Sequence, residues 1–420
     1  MSARRGEIVE GAVRFLAGWP LALGLAGYIL YATIDWEVPQ PGAIRFGPLW
    51  VTTTVVLLLG WRVSGRQING IVAMALGSVG AMLLTDVAYT ASQNLRDLHL
   101  YIRAGQHFLN GEQVYLDHLL TTRPTDLSMF PFLYPPLTLP FFAVLALLPQ
   151  VLADVGWLIL SIVAGAGALV IFGVRRWWVA VLLLWPPLFQ GIQVGNVAVL
   201  LALLFALAPW LGAGLVVAAV FKLYSGLAAL WLIRERRVIQ LVIGVAIVLG
   251  AALLTFPLTG LDRWREWFAG LDWYRASQPL LPGSLYGFGL PRYVPLPVVV
   301  AIGAGVVLAA LRARGREGLA RMGLATVVAS PSLYAHGLIV ALPSFLLLDA
   351  RWLWLALGIT SVAPGLGWWA AIALSIAGWF VRRLRSDGSK PVNDQEHELH
   401  PLAADRLTWP RLRTRLPNER

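Results

Sequence analysis

The sequence predicts an all-α polytopic membrane protein, and two observations support that fold class. Of the 420 residues, 58% are hydrophobic and only 13% are charged, whereas soluble domains carry about 25% charged residues. Long uncharged runs recur along the chain, and a helix needs about 20 apolar residues to cross a bilayer. These runs are continuously apolar rather than alternating in polarity, which favours helices over half-buried strands.

Taken in order, the apolar runs predict about 12–14 transmembrane segments. The first run, Phe15 to Ile34, exceeds the roughly 7–15 residues of a signal-peptide core, so we expect it to remain as a helix. Pro186-Pro187 and Gly195 interrupt the region 177–210, where the segmentation is least regular. The predicted segments lie near 12–34, 47–61, 67–90, 132–149, 154–173, 177–190, 194–210, 212–233, 237–257, 296–311, 319–334, 337–349, 351–363 and 366–381.

Basic residues in the short loops predict the orientation, because Lys and Arg are enriched on the cytoplasmic side. The predicted arrangement places both termini in the cytoplasm and the loops 91–131 and 258–295 on the extracytoplasmic face of the cell membrane. The pair Arg175-Arg176 is the exception, because it falls on the extracytoplasmic face. We expect an added N-terminal pair of spans (1–66), a transmembrane core (67–381) and a polar cytoplasmic tail (382–420). The five clusters on the predicted cytoplasmic face are Arg4-Arg5, Arg62 with Arg66, Arg234 with Arg236-Arg237, Arg312 with Arg314 and Arg316, and Arg382-Arg383 with Arg385.

A polar stretch after the third predicted span carries the first candidate for chemistry, Asp97. Leucine and isoleucine positions predict an amphipathic helix from Asn94 to Asn110, lying in the membrane interface. Asn94 is a good N-cap residue, which would put Asp97 at the third helical position, where its charge suits the helix dipole. Asp97 is therefore either a capping residue or an ionised carboxylate that accepts a proton from a substrate hydroxyl. Asp86, near the end of the preceding span, is the rival acid.

Two further polar residues stand out in apolar surroundings. Lys222 is the only charged residue from Trp177 through Ile233, and a charge inside a membrane segment usually serves function, often by binding an anion. The alternative is that its side chain extends to the interface. His336 lies at a predicted helix end on the extracytoplasmic face. It is either a site residue or a histidine bonded to a backbone carbonyl.

Composition and motifs exclude several other classes. The chain has no cysteine, hence no thiol nucleophile and no thiolate metal site. His99, His107, His118 and Asp117 suggest zinc only weakly, because no HExxH or comparable spacing appears. The net charge of +11 is explained by basic residues flanking the spans rather than by a nucleic-acid partner. We predict neither a metal nor another cofactor.

Several motifs in order resemble one family of membrane enzymes. These stretches are Asp97-Leu98-His99-Leu100-Tyr101, Gly111 with Tyr115, Phe132-Leu133-Tyr134-Pro135-Pro136, Leu148-Pro149, Gly195-Asn196-Val197, Lys222-Leu223-Tyr224 with Gly226, and Ser330-Pro331 followed by His336. Over roughly residues 85–350 they are similar to the polyprenyl-phosphate-mannose-dependent mannosyltransferases, glycosyltransferase family 87 of the GT-C superfamily. The sequence departs from the family pattern at Gly195-Asn196, where members have Gly-Gln, and at the single His336, where members often have paired histidines.

The resemblance implies a GT-C-like fold whose first extracytoplasmic loop holds the catalytic acid. By its motif that acid is Asp97, which would act as general base. The implied reaction is an inverting transfer of a sugar from a polyprenyl-phosphate donor to a glycolipid or glycan acceptor, and the expected sugar is mannose. Lys222 would stabilise the phosphate leaving group, and His336 could donate a hydrogen bond to it. The remaining residues implied in substrate or donor binding are Tyr101, Arg103, Tyr134 and Asn196, with Arg123 as a further candidate.

A second class of function fits part of the sequence. A transporter or lipid flippase could use the intramembrane Lys222 and an outer vestibule. Transporters usually place several polar groups and broken helices near the membrane midplane. In this sequence Lys222 is the main midplane charge, and the acids cluster in the outer loops, so the pattern favours the transferase.

Overall fold

The structure is a computed structural model that describes residues 95–115, 132–174, 179, 182–183, 185–277, 287–362 and 365–388. The described residues form helices joined by short turns, and their one β-type contact is an isolated parallel bridge between Gly287 and Leu333. The all-helical prediction is therefore confirmed for this part of the chain. The three predicted spans before residue 91, Asp86, and residues 389–420 of the predicted tail lie outside the described residues.

The helices are numbered here in chain order. The 3₁₀ segments that connect some of them are Pro136–Thr138, Leu223–Ala229, Leu290–Arg292 and Ala335–Ala341. The α-helices are α1 (Arg96–Leu109), α2 (Leu139–Ala146), α3 (Gln150–Ile171), α4 (Pro186–Gln193), α5 (Ala198–Ala206), α6 (Ala213–Phe221), α7 (Leu230–Arg234), α8 (Val238–Ser277), α9 (Leu296–Ala310), α10 (Gly315–Ala329), α11 (Leu342–Phe345), α12 (Ala350–Val362) and α13 (Leu366–Gly388).

Two of the described helices are long and apolar enough to cross a membrane. They are α3, with 22 residues, and the stretch Val238–Asp272 of α8. A helix of 22 residues is about 33 Å long, close to the roughly 30 Å of a bilayer's hydrocarbon core. α8 also exposes apolar side chains along its length, including Leu253 and Leu254. Such a surface suits lipid rather than water.

Helix α8 shows that the first part of the predicted loop 258–295 is helical. The helix continues through Ser277, and only Gly260 inside it has a non-helical backbone, with φ 60° and ψ 175°. Glycine tolerates a positive φ without a steric penalty. Beyond Gly260, the pairs Arg265–Asp262 and Arg263–Glu266 join residues three apart at 3.1 Å and 3.0 Å, a spacing that supports a helix. The first part of the predicted loop is thus a second helical stretch.

The predicted span 212–233 is also broken. Helix α6 ends at Phe221, Lys222 has an extended backbone (φ −141°, ψ 100°), and a 3₁₀ segment leads on to α7. The sequence placed Lys222 near the middle of its span, whereas in the structure it lies at the end of a helix. A cation at a helix C-terminus interacts favourably with the helix dipole.

The C-terminal boundary differs as well. Helix α13 begins at the predicted start of the last span and continues to Gly388. The first seven residues of the predicted tail are consequently helical.

The candidate site is positioned by a small aromatic cluster, called the site cluster below. Its buried members come from α1 and the residues that follow it, from α2 and the residues before it, and from α3, α6, α8 and the start of α5. Helix α1 packs closely on α2, because a Cβ atom on Gly105 would lie 2.5 Å from the carbonyl oxygen of Phe142. The buried members are Leu98, Tyr101, Ala104, Val114, Tyr115, Phe132, Leu139, Phe142, Trp157, Val197, Leu201, Ala218 and Trp267.

Candidate active site

The site forms at the N-terminus of α1. The helix starts at Arg96, so Asp97 is its second residue and not its third, and the preceding Leu95 has a left-handed backbone with φ 53°. Asn94, the predicted N-cap, lies outside the described residues. The N–H groups of Leu95 and Asp97 each donate at 2.8 Å to the carbonyls of Gln193 and Val194. Backbone from the end of α4 thus satisfies donors that a capping side chain would otherwise bind.

The carboxylate of Asp97 is nearly buried, with 8% of the residue exposed. Its Oδ2 accepts a hydrogen bond from Asn196 Nδ2 at 2.6 Å. Its Oδ1 accepts one from Arg96 Nε at 3.1 Å. These bonds join the carboxylate to side chains, so its geometry differs from that of a capping group. A buried carboxylate with donors on both oxygens is held in one orientation and keeps free lone pairs for a further donor.

Asn196 reaches Asp97 because of a tight turn between α4 and α5. Gly195 has φ 71°, and a Cβ atom there would lie 2.8 Å from Leu98 Cβ. Oδ1 of Asn196 accepts the N–H of Ala198, the first residue of α5, at 2.9 Å, which leaves its Nδ2 to donate to Asp97. Sequence analysis assigned Asn196 to substrate binding, but the structure directs its amide to the carboxylate.

The structure places Lys222 near Asp97 and His336 near Lys222 and Arg96. The charges of Lys222 and Asp97 lie close enough to interact. His336 in turn lies within electrostatic reach of Lys222 and Arg96. His336 occupies the first turn of the segment Ala335–Ala341 and is 9% exposed. Its ring stacks on Tyr334, with centroids 5.8 Å apart and planes 8° apart.

Arg96 is the site residue that sequence analysis did not single out. Its Nε contacts Asp97, and 27% of its side chain remains exposed. Successive residues of a helix point about 100° apart, so proximity in sequence alone gave no reason to expect this contact. The one available signal was a basic residue directly before the motif aspartate.

Two tyrosines lie beside the carboxylate. The hydroxyls of Tyr101 and Tyr134 are 2.9 Å apart, and the Val197 N–H donates to the Tyr101 hydroxyl. Burial, followed by the charges of Tyr134 and Asp97, raises the pKa of Tyr101 well above its ordinary value. Tyr101 therefore stays a neutral hydrogen-bonding group, and Tyr134, which is half-buried, is the more accessible of the two.

Among the described residues, the predicted candidate Arg103 is not part of this group. Arg103 is exposed on α1 and lies about 120° around the helix from Asp97. Arg123 and the rival acid Asp86 lie outside the described residues. No set of three or more metal-ligating side chains occurs among the described residues. Of the weak zinc candidates there, His99 contacts Asp154 at 3.0 Å and His107 contacts Glu112 at 2.9 Å.

The arrangement can accept a proton and stabilise an anion within a small volume. Asp97 is an acceptor, whereas Arg96 and Lys222 carry positive charge and His336 can donate a hydrogen bond. In partly buried surroundings such charges act more strongly than in water. The fold and the site together define an all-helical protein with membrane-length apolar helices and one carboxylate set among cationic side chains.

Comparisons with known proteins agree with the family resemblance seen in the sequence. The profile of glycosyltransferase family 87 matches residues 132–335, a range that includes Tyr134, Asn196 and Lys222. The chain is also 26% identical over 360 residues to the polyprenol-phosphate-mannose-dependent alpha-(1-2)-phosphatidylinositol pentamannoside mannosyltransferase of Mycobacterium tuberculosis (strain CDC 1551 / Oshkosh). That alignment covers 75% of this chain and 80% of the relative. No solved structure matches the chain.

Both comparisons confirm the family resemblance found in the sequence and support a glycosyltransferase. Asp97 and His336 fall outside the matched range of the family profile, His336 by one residue. Their place in the site rests on the geometry described above.

Proposed function

We propose that the protein transfers a sugar from a polyprenyl-phosphate donor to a hydroxyl of a glycolipid or glycan acceptor. The named activity of the mycobacterial relative, with which the chain shares 26% identity, supports mannose as the sugar. The observation that carries the mechanism is the nearly buried Asp97, whose oxygens are held by Asn196 and Arg96, with Lys222 and His336 nearby.

In the proposed reaction, Asp97 takes the proton of the acceptor hydroxyl. The acceptor oxygen forms a bond to the anomeric carbon while the bond from that carbon to the phosphate oxygen breaks. The bonding electrons leave with the polyprenyl phosphate, and the configuration at the anomeric carbon is inverted. General-base catalysis of this kind contributes typically about 10²- to 10⁴-fold.

The cationic groups serve the leaving phosphate. Lys222 lies at the break between α6 and the following 3₁₀ segment. Arg96 contacts Asp97, and His336 lies within electrostatic reach of Lys222 and Arg96. Positive charge placed where negative charge develops lowers the barrier. Tyr134, hydrogen-bonded to Tyr101, is a candidate contact for the sugar. The basic loop pattern supports a site on the extracytoplasmic face.

The direct test replaces Asp97 with asparagine. Asp97→Asn keeps the side-chain shape but removes the base, so membranes supplied with polyprenyl-phosphate mannose should lose glycolipid formation by at least about 100-fold. Asp262→Asn is the matched control, because its carboxylate is 89% exposed on α8 and its loss should leave activity unchanged. Near-normal activity of Asp97→Asn at normal expression would place the base elsewhere, and Asp86→Asn would then be the next variant.

The test for Lys222 separates donor use from acceptor use. Lys222→Ala should raise the KM for the polyprenyl-phosphate donor or lower kcat, without changing which acceptors are used. Lys222→Arg keeps the charge and should retain more activity than the alanine variant. Unaltered kinetics of Lys222→Ala toward the donor would contradict a phosphate-binding role.

A transporter or lipid flippase remains the second candidate, because one observation favours it. Discontinuous membrane helices are characteristic of transporter sites, and the predicted span 212–233 is interrupted at Lys222. Sugar transfer needs no ion gradient. Purified protein in proteoliposomes without a gradient should form glycolipid product; substrate movement without product would support transport instead.

A further inference from the structure

The segment 193–198, called the 193–198 turn, contacts the start of α1 at several points. Its carbonyls at Gln193 and Val194 accept the N–H groups of Leu95 and Asp97. Farther along the same turn, Asn196 donates to the Asp97 carboxylate. A six-residue segment therefore binds both the backbone and the side chain of the proposed base.

Hydrogen bonds at both ends of the Asn196 amide, its oxygen and its nitrogen, fix the orientation of the side chain. Oδ1 accepts the N–H of Ala198 at 2.9 Å, so the opposite end of the amide carries its two N–H donors toward Asp97. Asn196 is 5% exposed. A side chain that is buried and bonded at both ends has little freedom to bind substrate.

The turn can approach α1 only because residue 195 is glycine. Its φ of 71° is a conformation that glycine adopts readily, and an added Cβ atom would lie 2.8 Å from Leu98 Cβ. This close approach is what allows the 2.6 Å contact between Asn196 and Asp97. The contact is thus built into the backbone of the turn.

We infer that Asn196 is a positioning residue for the catalytic carboxylate: it holds Asp97 Oδ2, so that one carboxylate orientation faces the acceptor hydroxyl. This inference rests on the proposed function of Asp97 as base. Arg96 holds the other oxygen. Misplacing a reacting group by about 1 Å can cost on the order of 100-fold in rate, so the role predicts an effect on kcat.

The test uses Asn196→Asp in the full-length protein. Aspartate still accepts the Ala198 N–H and is a good residue before a helix, but it places a carboxylate against Asp97. Two adjacent carboxylates hold a shared proton to higher pH than a lone one. We expect kcat at neutral pH to fall by about 10- to 100-fold and the acidic limb of the pH–rate profile to move up by at least about one pH unit. The KM for polyprenyl-phosphate mannose should stay within about threefold of the wild-type value if Asn196 does not bind substrate.

Two controls accompany this variant. Asn110→Asp introduces the same charge at an exposed position at the end of α1 and should leave the pH profile unchanged. Asn196→Ser keeps an acceptor for the Ala198 N–H but is too short to donate to Asp97 as well. It should lower kcat without moving the acidic limb upward, and it supplies the result if the aspartate variant fails to fold.

The outcomes that overturn the inference are distinct from those that overturn the proposed function. A raised donor KM with wild-type kcat in both Asn196 variants would mean that Asn196 binds substrate, as the sequence suggested. Wild-type kcat and pH profile would mean that it is not needed for positioning. If Asp97→Asn is inactive in the same membranes, either result removes only the positioning role. An active Asp97→Asn removes the base itself.

Discussion

The hydroxyl groups of Tyr101 and Tyr134 lie 2.9 Å apart, with their rings edge to face at a centroid distance of 5.2 Å. Tyr101 is four residues after Asp97 and therefore lies on the same face of α1. Its hydroxyl also accepts the N–H of Val197, next to Asn196 in the 193–198 turn. One turn thus contacts Asp97 and Tyr101, the first and last residues of the motif that begins at Asp97.

This relationship predicts the effect of Tyr101→Phe. The change removes the hydroxyl and leaves the buried N–H of Val197 without that partner, which costs about 1–3 kcal/mol of unfolding free energy. Transfer activity should fall as well, because the turn that holds Asp97 loses one of its contacts. Thermal unfolding in detergent and glycolipid synthesis in membranes measure the two effects. Tyr293→Phe, at a position that is 42% exposed, is the control, and equal stability of the two variants would contradict the role given to this bond.

Stability should also decrease in alkaline solution. Burial raises the pKa of both Tyr101 and Tyr115, and the negative charge of Glu266 adds to the effect at Tyr115. In the folded protein these tyrosines keep their protons above pH 10, whereas in the unfolded chain they release them. Each therefore contributes stability that is present below about pH 10 and is lost above it, by about 1.4 kcal/mol per pH unit.

Unfolding measured between pH 8 and pH 11 checks this dependence. The double variant Tyr101→Phe with Tyr115→Phe should lose less stability per pH unit above pH 10 than the wild type does, although it starts from a lower value. A slope identical to that of the wild type would mean that neither tyrosine is protected from ionisation in the folded protein.

The sequence singled out several residues of this candidate site but not the contacts between them. Asp97, Lys222 and His336 stood out individually, because each is a polar residue in or beside an apolar run. Their ordered motifs indicated that they belong together, and the structure places Lys222 within electrostatic reach of both Asp97 and His336. Arg96 did not stand out, since basic residues are common beside membrane segments and nothing local distinguishes one that contacts an acid.

The fold class was predictable from the sequence, whereas the residues at which individual helices begin and end were less so. Hydropathy identified α3 and the first part of α8 because their runs are long and uninterrupted. It could not place the break at Lys222, since the flanking residues are equally apolar on both sides. It ended the span at 257, close to the non-helical Gly260, but it did not show that the charged residues after Gly260 pair along a second helical stretch. Pairing depends on three-dimensional spacing that a hydropathy average does not contain.

Gly195→Ala should lower transfer activity more than the same substitution does at a glycine with a similar backbone conformation elsewhere. A left-handed backbone at a non-glycine residue costs roughly 1–2 kcal/mol, and at Gly195 an added Cβ atom would also press on Leu98. We expect the turn to move away from α1, which would separate Asn196 from Asp97. Transfer should fall by about 10-fold or more, since a small displacement of a reacting group is costly.

The matched control for this prediction is Gly111→Ala. Gly111 has φ 73°, close to that of Gly195, but an added Cβ atom there would have no heavy atom within 4 Å. Gly111→Ala should therefore introduce backbone strain without a steric contact. If both variants lost the same activity, strain alone would explain the effect, and the contact with Leu98 would not position the turn.

The packing of α1 on α2 gives the last prediction. An added Cβ atom at Gly105 would lie 2.5 Å from the carbonyl oxygen and 2.6 Å from the carbonyl carbon of Phe142. Both are backbone atoms, so α1 and α2 must separate. Gly105→Ala should therefore lower the unfolding free energy by about 1–3 kcal/mol. Transfer should fall too, because α1 carries Asp97. Gly156→Ala, at an exposed helical position with open space around it, should leave stability unchanged or raise it by up to about 1 kcal/mol. A Gly105→Ala protein that is destabilised yet fully active would show that Asp97 is held by the 193–198 turn rather than by the packing of its own helix.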